Sequence, residues 1–207
     1  SVVDRSIQQG VPASCFVIEK GTQLFGSTLF VFKRNDLTLC GATGDPKDVV
    51  LSSSARAVIQ IEQARGTVIR GLTITTSATG GVGVLVNAVP GPTLEGFADD
   101  TSIERCSFRS YVGVQASVRA RNLSVADSRF ETGPFSPGST DGGAGIFWED
   151  GPGLFVTRCR FSVTGGVSAL ALDVERFGPA QRGAPDERFQ RMGLPRAPQH
   201  QPPRPRR

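Results

Sequence analysis

Four stretches of the chain carry one pattern: TVIRGLTI from Thr67, TSIERCSF from Thr101, LSVADSRF from Leu123 and LFVTRCRF from Leu154. Each has an aliphatic third residue: Ile69, Ile103, Val125 or Val156. Three residues on comes Leu72, Cys106, Ser128 or Cys159, and two further on Ile74, Phe108, Phe130 or Phe161. A second pattern is interleaved: AVIQIE at Ala57, GVGVLVN at Gly81, YVGVQAS at Tyr111, AGIFWED at Ala144 and GVSALALD at Gly166. Its period of two marks a strand with one buried face. Phe108 and Phe130 are 22 residues apart, Ile74 and Phe108 34, and Phe130 and Phe161 31. The longer steps are the same unit with loops inserted. A unit of this length holds three short strands and cannot bury its inward side chains alone, so it must stack on its neighbours.

The paired motifs, with STLFVFKRNDLTLCGATGD from Ser27, resemble right-handed parallel β-helix repeats of the pectate-lyase-like superfamily. The resemblance covers roughly 21–177. It implies an all-β fold: a short three-sheet solenoid of about five to six coils, ~25 Å long at ~4.8 Å per coil. The GVGV-type motif is the first strand of a coil. The second lies around Ile69, Ile103, Val125 and Val156, and the third carries Leu72–Ile74, Cys106–Phe108, Ser128–Phe130 and Cys159–Phe161. A short turn with Arg105, Asp127 or Arg158 joins the last two. Residues 1–20 read as an N-terminal cap or truncated lead-in, and 178–207 as a disordered tail.

That tail decides how the charge is read. The formal charge is +4, yet 178–207 holds seven arginines against Asp186 and Glu187, so the tail carries +5 and the rest −1. It also holds seven of the 14 prolines and the only histidine, His200. Such a segment cannot bury enough apolar surface to fold, and no nucleic-acid partner is expected for the folded body. No apolar run reaches ~18 residues, so no membrane span is expected. The chain begins at Ser1 without a signal-peptide pattern, consistent with a mature product or a fragment. The Pro/Arg end in place of a second cap points to a truncated or atypical chain. The fold resemblance favours an extracellular or cell-surface setting. Asn122-Leu123-Ser124 is a glycosylation sequon, meaningful in a secreted eukaryotic protein.

The resemblance implies that ligands lie on the outer face of the first-strand sheet, walled by loops. Two insertions flank it, 87–100 and 132–143. Alternation turns Ile59/Ile61, Val84/Val86, Val114/Ala116 and Ile146/Trp148 inward, leaving Gln60, Leu85, Gln115 and Phe147 outside. The next outward row is Glu62, Asn87, Ser117, Glu149 and Asp173. A slip of one residue would exchange Phe147 and Trp148. Candidate ligand contacts are Phe147, Gln115, Asn87, Asp99 and Asp100. Candidate catalytic residues are Asp141, Glu149 and Asp150.

Glycoside hydrolysis needs two carboxyls ~5–10 Å apart. Ser139–Gly142, STDG, is similar to the NTDG of polygalacturonase-type hydrolases and precedes a first strand. That family's aspartate pair is replaced here by Gly165–Gly166, and its histidine–glycine and RIK-type motifs are missing. A uronate lyase needs a strong base and a cation on the substrate carboxylate, often Ca²⁺. The base candidates are Arg105, Arg158 and Arg160, of which Arg158 falls in the turn after the second strand. The reading is therefore a non-catalytic or degenerate module that contacts polysaccharide or serves a surface role, without cofactor or metal. The alternatives are a polysaccharide-active enzyme, lyase before hydrolase and Ca²⁺-dependent in the lyase case, and a protein-interaction solenoid.

Cys159 stands between Arg158 and Arg160, where positive charge can activate a thiol. The repeat gives it another meaning, since it shares the inward position of Leu72, Cys106 and Ser128. Ser128 separates Cys106 from Cys159 by two coil steps, ~10 Å, too far for a disulfide, which needs Cα atoms within ~7 Å. With four cysteines and no CxxC, neither a zinc site nor a disulfide scaffold is expected.

Overall fold

The computed structural model describes residues 15–87, 98–116, 120–133, 143–149, 153–163 and 170–175. Six coils follow one another. The first is β1 (Cys15–Ile18), β2 (Gly21–Phe25) and β3 (Leu29–Phe32), and the second β4 (Thr38–Gly41), β5 (Val49–Ser53) and β6 (Ala57–Glu62). The third is β7 (Val68–Arg70), β8 (Thr73–Thr76) and β9 (Val82–Asn87). The fourth is β10 (Ala98–Asp99), β11 (Ser102–Glu104), β12 (Ser107–Ser110) and β13 (Val112–Ala116). The fifth is β14 (Ala120–Arg121), β15 (Leu123–Ala126), β16 (Arg129–Thr132) and β17 (Ala144–Glu149). The sixth is β18 (Leu154–Thr157), β19 (Arg160–Val163) and β20 (Leu170–Glu175). There is no helix among the described residues.

Equivalent strands pair in parallel across coils. Sheet 1 is β3-β6-β9-β13-β17-β20, sheet 2 is β1-β4-β7-β11-β15-β18, and sheet 3 is β2-β5-β8-β12-β16-β19. The fold is a right-handed parallel β-helix, the hand that parallel crossover connections take. β1 lies inside the segment set aside from sequence as a lead-in, and pairs with β4 from Cys15↔Thr38 to Ile18↔Gly41. The sequence repeat is harder to see there because Glu19-Lys20 and Gly26-Ser27-Thr28 separate the first coil's strands in place of the motif's turn. Residues 178–207 lie outside the described residues.

The core is a set of columns running up the stack. On sheet 2, Leu39, Ile69, Ile103 and Val125 stack in register, all fully buried. On sheet 3 the column is Leu51, Ile74, Phe108, Phe130 and Phe161. The three rings stack nearly parallel, with centroids 4.7 Å apart at both steps. That distance is the strand spacing itself, so identical residues at equivalent positions must pile ring on ring. Sheet 1 supplies two columns, Leu29–Ile59–Val84–Val114–Ile146 and Val31–Ile61–Val86–Ala116–Trp148.

The phenylalanine column dictates its facing corner. Alternation breaks at the start of the sheet 1 strands: Val82 pairs with Val112 and Val84 with Val114. Gly83 and Gly113 lie between them and face inward. A Cβ on Gly83 would come within 2.7 Å of Phe108 Cδ1, and one on Gly113 within 2.7 Å of Phe130 Cε1. Only glycine leaves room for the ring of the next coil. In the coil below, where the next coil's sheet 3 residue is Ile74 rather than a ring, the equivalent residue is the buried Val58. The break also throws Ala57, Val82 and Val112 to the outer side, where Leu85, Tyr111, Ala144 and Phe147 pack around them.

The corner between sheets 2 and 3 is the short turn expected, bent at a single left-handed residue. Gly71, Arg105, Asp127 and Arg158 occupy it in successive coils, all left-handed, with φ of 65°, 49°, 50° and 51°. The arginines and the aspartate therefore point into solvent at a bend and away from sheet 1.

Candidate functional site

The outer face of sheet 1 carries one side chain per coil in a row: Phe30, Gln60, Leu85, Gln115 and Phe147. Phe147 faces out, half-buried, while Trp148 is 3% exposed and faces the core. The register expected from alternation is the observed one. Asp173, expected in the Glu149 row, instead pairs with Phe147, and Glu149 pairs with Glu175. The break in alternation has no bearing on this; the last coil simply begins later in the sequence than its motif suggested.

A groove of about 370 Å³ is sunk into this face. Thr28, Arg56, Ala57, Gln60, Val82, Leu85 and Gln115 line it. Its floor is the apolar strip that the alternation break exposes. Its polar groups are two amides, a hydroxyl and one guanidinium. The Thr28 hydroxyl donates 2.9 Å to the Ala57 carbonyl, which fixes the rim. Gln60 donates through Nε2 to Glu62 Oε1, which leaves its amide oxygen available as an acceptor. Arg56 holds the one charge among the lining residues. A small concave site with an apolar floor and a few convergent hydrogen-bonding groups is the general form of a ligand pocket.

The candidates named from sequence disperse over the molecule. Gln115 lies in the groove and Phe147 on the same face one coil on. Glu149 is on that face too, half-buried at the end of β17. Glu62 and Glu149 are three coils apart, ~14 Å along the stack, beyond the reach of two carboxyls acting on one bond. Asn87 ends β9, and nothing further of its side chain lies within the described residues. Asp141 and Asp150 are outside the described residues, as are most of the two insertions.

Asp99 and Asp100 are off the sheet 1 face. Asp99 pairs with Arg121 in the short β10–β14 ladder, and one of its oxygens is buried with no partner among the described residues. Asp100 is a left-handed turn residue with φ 54° at the entry to sheet 2. Asn122 Nδ2 donates to it at 2.9 Å and Arg65 Nε at 3.1 Å. The Asn122 amide first, and the Arg65 guanidinium second, hold its carboxyl below the ordinary carboxylate range. Asp and Asn suit this position because they tolerate the left-handed region, so the residues are corner-builders.

The candidate bases are also elsewhere. Arg105 and Arg158 sit at the sheet 2–sheet 3 corner and Arg160 on β19 of sheet 3. Arg158 closes a two-pronged pair with Asp127, 2.6 and 2.8 Å, which lowers the aspartate's pKa and raises its own. Cys159 turns inward and donates to the Val125 and Thr157 carbonyls. Burial pushes its thiol up, outweighing the flanking Arg158, so it is a packing residue and no activated nucleophile. Among the described residues no group of three or more His, Cys, Asp or Glu is placed to share a metal ion. No helix long and apolar enough to cross a membrane is found among the described residues.

Sequence reasoning missed Phe30 and Phe32. Both are exposed on β3 and extend the face to the first coil, with Lys33 Nζ 5.2 Å from the Phe32 ring centre. The alternation of LFVF would have shown them had the first coil been aligned with the rest. It also missed Arg56, which precedes the motif.

No protein-family model matches the chain, and no curated protein does. Two solved structures of a pectin methylesterase from Aspergillus niger are similar in backbone course. The deglycosylated form is 10% identical over 89% of this chain and 88% of that one, with a TM-score of 0.37. The penultimately deglycosylated form is 11% identical over 84% and 83%, again at 0.37. At that similarity no residue of one can be laid on a residue of the other. The site stands on this chain's own geometry.

Proposed function

We propose that the protein binds polysaccharide along the outer face of sheet 1 and does not turn it over. The observation that carries this is the groove itself: an apolar floor from Ala57, Val82 and Leu85, hydrogen-bonding amides from Gln60 and Gln115, and no carboxylate among its lining residues. Sugar rings offer apolar faces edged by hydroxyls, and this surface matches both. Arg56 directs the preference toward chains bearing carboxylates or sulfates. Uronate-rich polysaccharide is the substrate class we assign as ligand, and an extracellular or cell-surface setting belongs to the same proposal. No cofactor is required.

The test is an array of neutral and acidic glycans run beside an absorbance assay for unsaturated uronate, with and without Ca²⁺. The expected result is retention on uronate chains, weakened at least fivefold by Arg56→Gln, and no product. Retention on nothing would end the carbohydrate reading. Unsaturated product would end the non-catalytic one.

A second reading rests on the strand register. Glu149 and Glu175 are partners in adjacent coils, ~4.8 Å apart along the stack. The register sets two acidic residues at paired positions of neighbouring strands, the pair of carboxyls that a polysaccharide-active enzyme would require. Product formation abolished by Glu149→Gln would favour it over simple binding.

A further inference from the structure

Two cysteines that the repeat pattern did not connect are neighbours. Among the described residues β1 is the edge strand of sheet 2, hydrogen-bonded to β4. In their register Cys15 faces Thr38 and Val17 faces Cys40, so the two cysteines are two residues out of step on adjacent coils. Leu39 is inward and fully buried, and Phe16, its partner, packs on the core. By alternation Cys15 and Cys40 share the outer side of the sheet. Their sulfurs are 3.6 Å apart and both are free thiols, Cys15 exposed and Cys40 buried. Arg70 follows Cys40 in the next coil.

The other cysteines show how selective this is. Cys106 and Cys159 lie inside the solenoid with the Ser128 coil between them, two steps or ~10 Å apart. Disulfide geometry excludes that pair. The Cys15–Cys40 contact needs the sulfurs to close by ~1.5 Å to reach bonding distance, and it needs this at an edge strand with one exposed member. The two-residue offset sets their Cα atoms about 8 Å apart, just past the ~7 Å a disulfide spans, so β1 must slide by ~1–2 Å along β4 as the Cys15 side chain rotates.

We propose that Cys15 and Cys40 are a modification site: a reversible disulfide that staples the first coil to the second. The oxidant is a low-molecular-weight disulfide such as oxidised glutathione. The thiolate of Cys15, the exposed partner, attacks one glutathione sulfur, and one glutathione leaves as thiolate. The Cys40 thiolate then attacks the Cys15 sulfur of the mixed disulfide, and the second glutathione leaves. Two protein thiols lose two electrons and two protons; one disulfide of glutathione gains them as two thiols. Attack proceeds through the thiolate, and the neighbouring Cys40 thiol holds the Cys15 proton on. The rate therefore rises as pH rises toward the thiol's raised pKa.

The experiment incubates the full chain with oxidised glutathione, then counts thiols in denaturant and maps peptides by mass. The expected result is loss of two of the four thiols and one peptide pair, containing Cys15 and Cys40, lighter by two hydrogens. Dithiothreitol restores all four. Cys40→Ser should instead trap Cys15 as its glutathione adduct. The wild-type chain alone is decisive. Four surviving thiols, a Cys15 adduct that persists beside a free Cys40, or a bond through Cys106 or Cys159 would each overturn the proposal.

Discussion

Gly113 and Phe130 offer a stringent test of how the sequence fixes the solenoid, because each is explained only by the other. Phe130 is fully buried and stacked on both sides, with centroids 4.7 Å from Phe108 and from Phe161. Phe130→Ala removes a buried ring and two aromatic contacts, at about 4 kcal/mol. Gly113→Ala puts a methyl 2.7 Å from Phe130 Cε1 and 2.6 Å from the Gly145 carbonyl. Overpacking of this kind costs about 2 kcal/mol. In the double variant the methyl enters the cavity the ring has left. Only the carbonyl contact then resists it, so the double variant should be less destabilised than the sum of the singles by about 1–2 kcal/mol. Urea unfolding, followed through the single tryptophan, Trp148, and by circular dichroism, measures all four corners of the cycle. Additivity within ~0.5 kcal/mol would refute the account of the glycine corner.

Several independent perturbations follow from the same geometry. Trp148→Ala should cost about 3–5 kcal/mol, whereas Phe147→Ala, one residue away on the outer face, should cost about 1 kcal/mol; equal costs would mean the register is wrong. Burial pushes the Cys106 thiol up to about 12 from the ordinary 9.0. The folded state keeps this proton while the unfolded chain loses it, so stability is full below pH ~9 and falls as pH rises toward ~12, by up to about 4 kcal/mol at the top of that range. Cys106→Ala should flatten that part of the pH profile in thermal melts. At the acid end, Asp127 is held below the ordinary carboxylate range by Arg158. The stability it lends is present above that range and lost as pH falls through its lowered pKa. Asp127→Asn should remove that acid dependence and lower stability at neutral pH by the same small amount, small because the pair is solvent-exposed.

Legibility in the sequence followed the periodicity. Where a coil kept its period of two and a recurring large residue, as with Phe108, Phe130 and Phe161, the strand, its inward face and its neighbours could all be read from spacing. The inward place of Cys159 came from the same rule and explained away its arginine neighbours. Three features were hidden. Gly83 and Gly113 break the alternation, and a glycine has no side chain to announce which way it faces. Asp99 and Asp100 sit beside a loop insertion, and acidic residues there read equally well as ligands or as left-handed corners. The Cys15–Cys40 contact depends on the register of the first coil, whose short strands share little of the repeat. The groove was half legible: Gln60, Leu85 and Gln115 follow from alternation, while Thr28 and Arg56 enter from the corner.

The central claim is that the outer face of sheet 1, between the first and fourth coils, is where the protein meets polysaccharide. Amide chemical shifts of the isotopically labelled protein, recorded during titration with oligogalacturonate and with a neutral oligosaccharide of equal length, test it directly. The account predicts saturable shifts confined to the neighbourhood of Arg56, Gln60, Leu85 and Gln115, larger for the acidic oligomer. Shifts confined to sheet 2 or sheet 3, or none at saturating ligand, would contradict it.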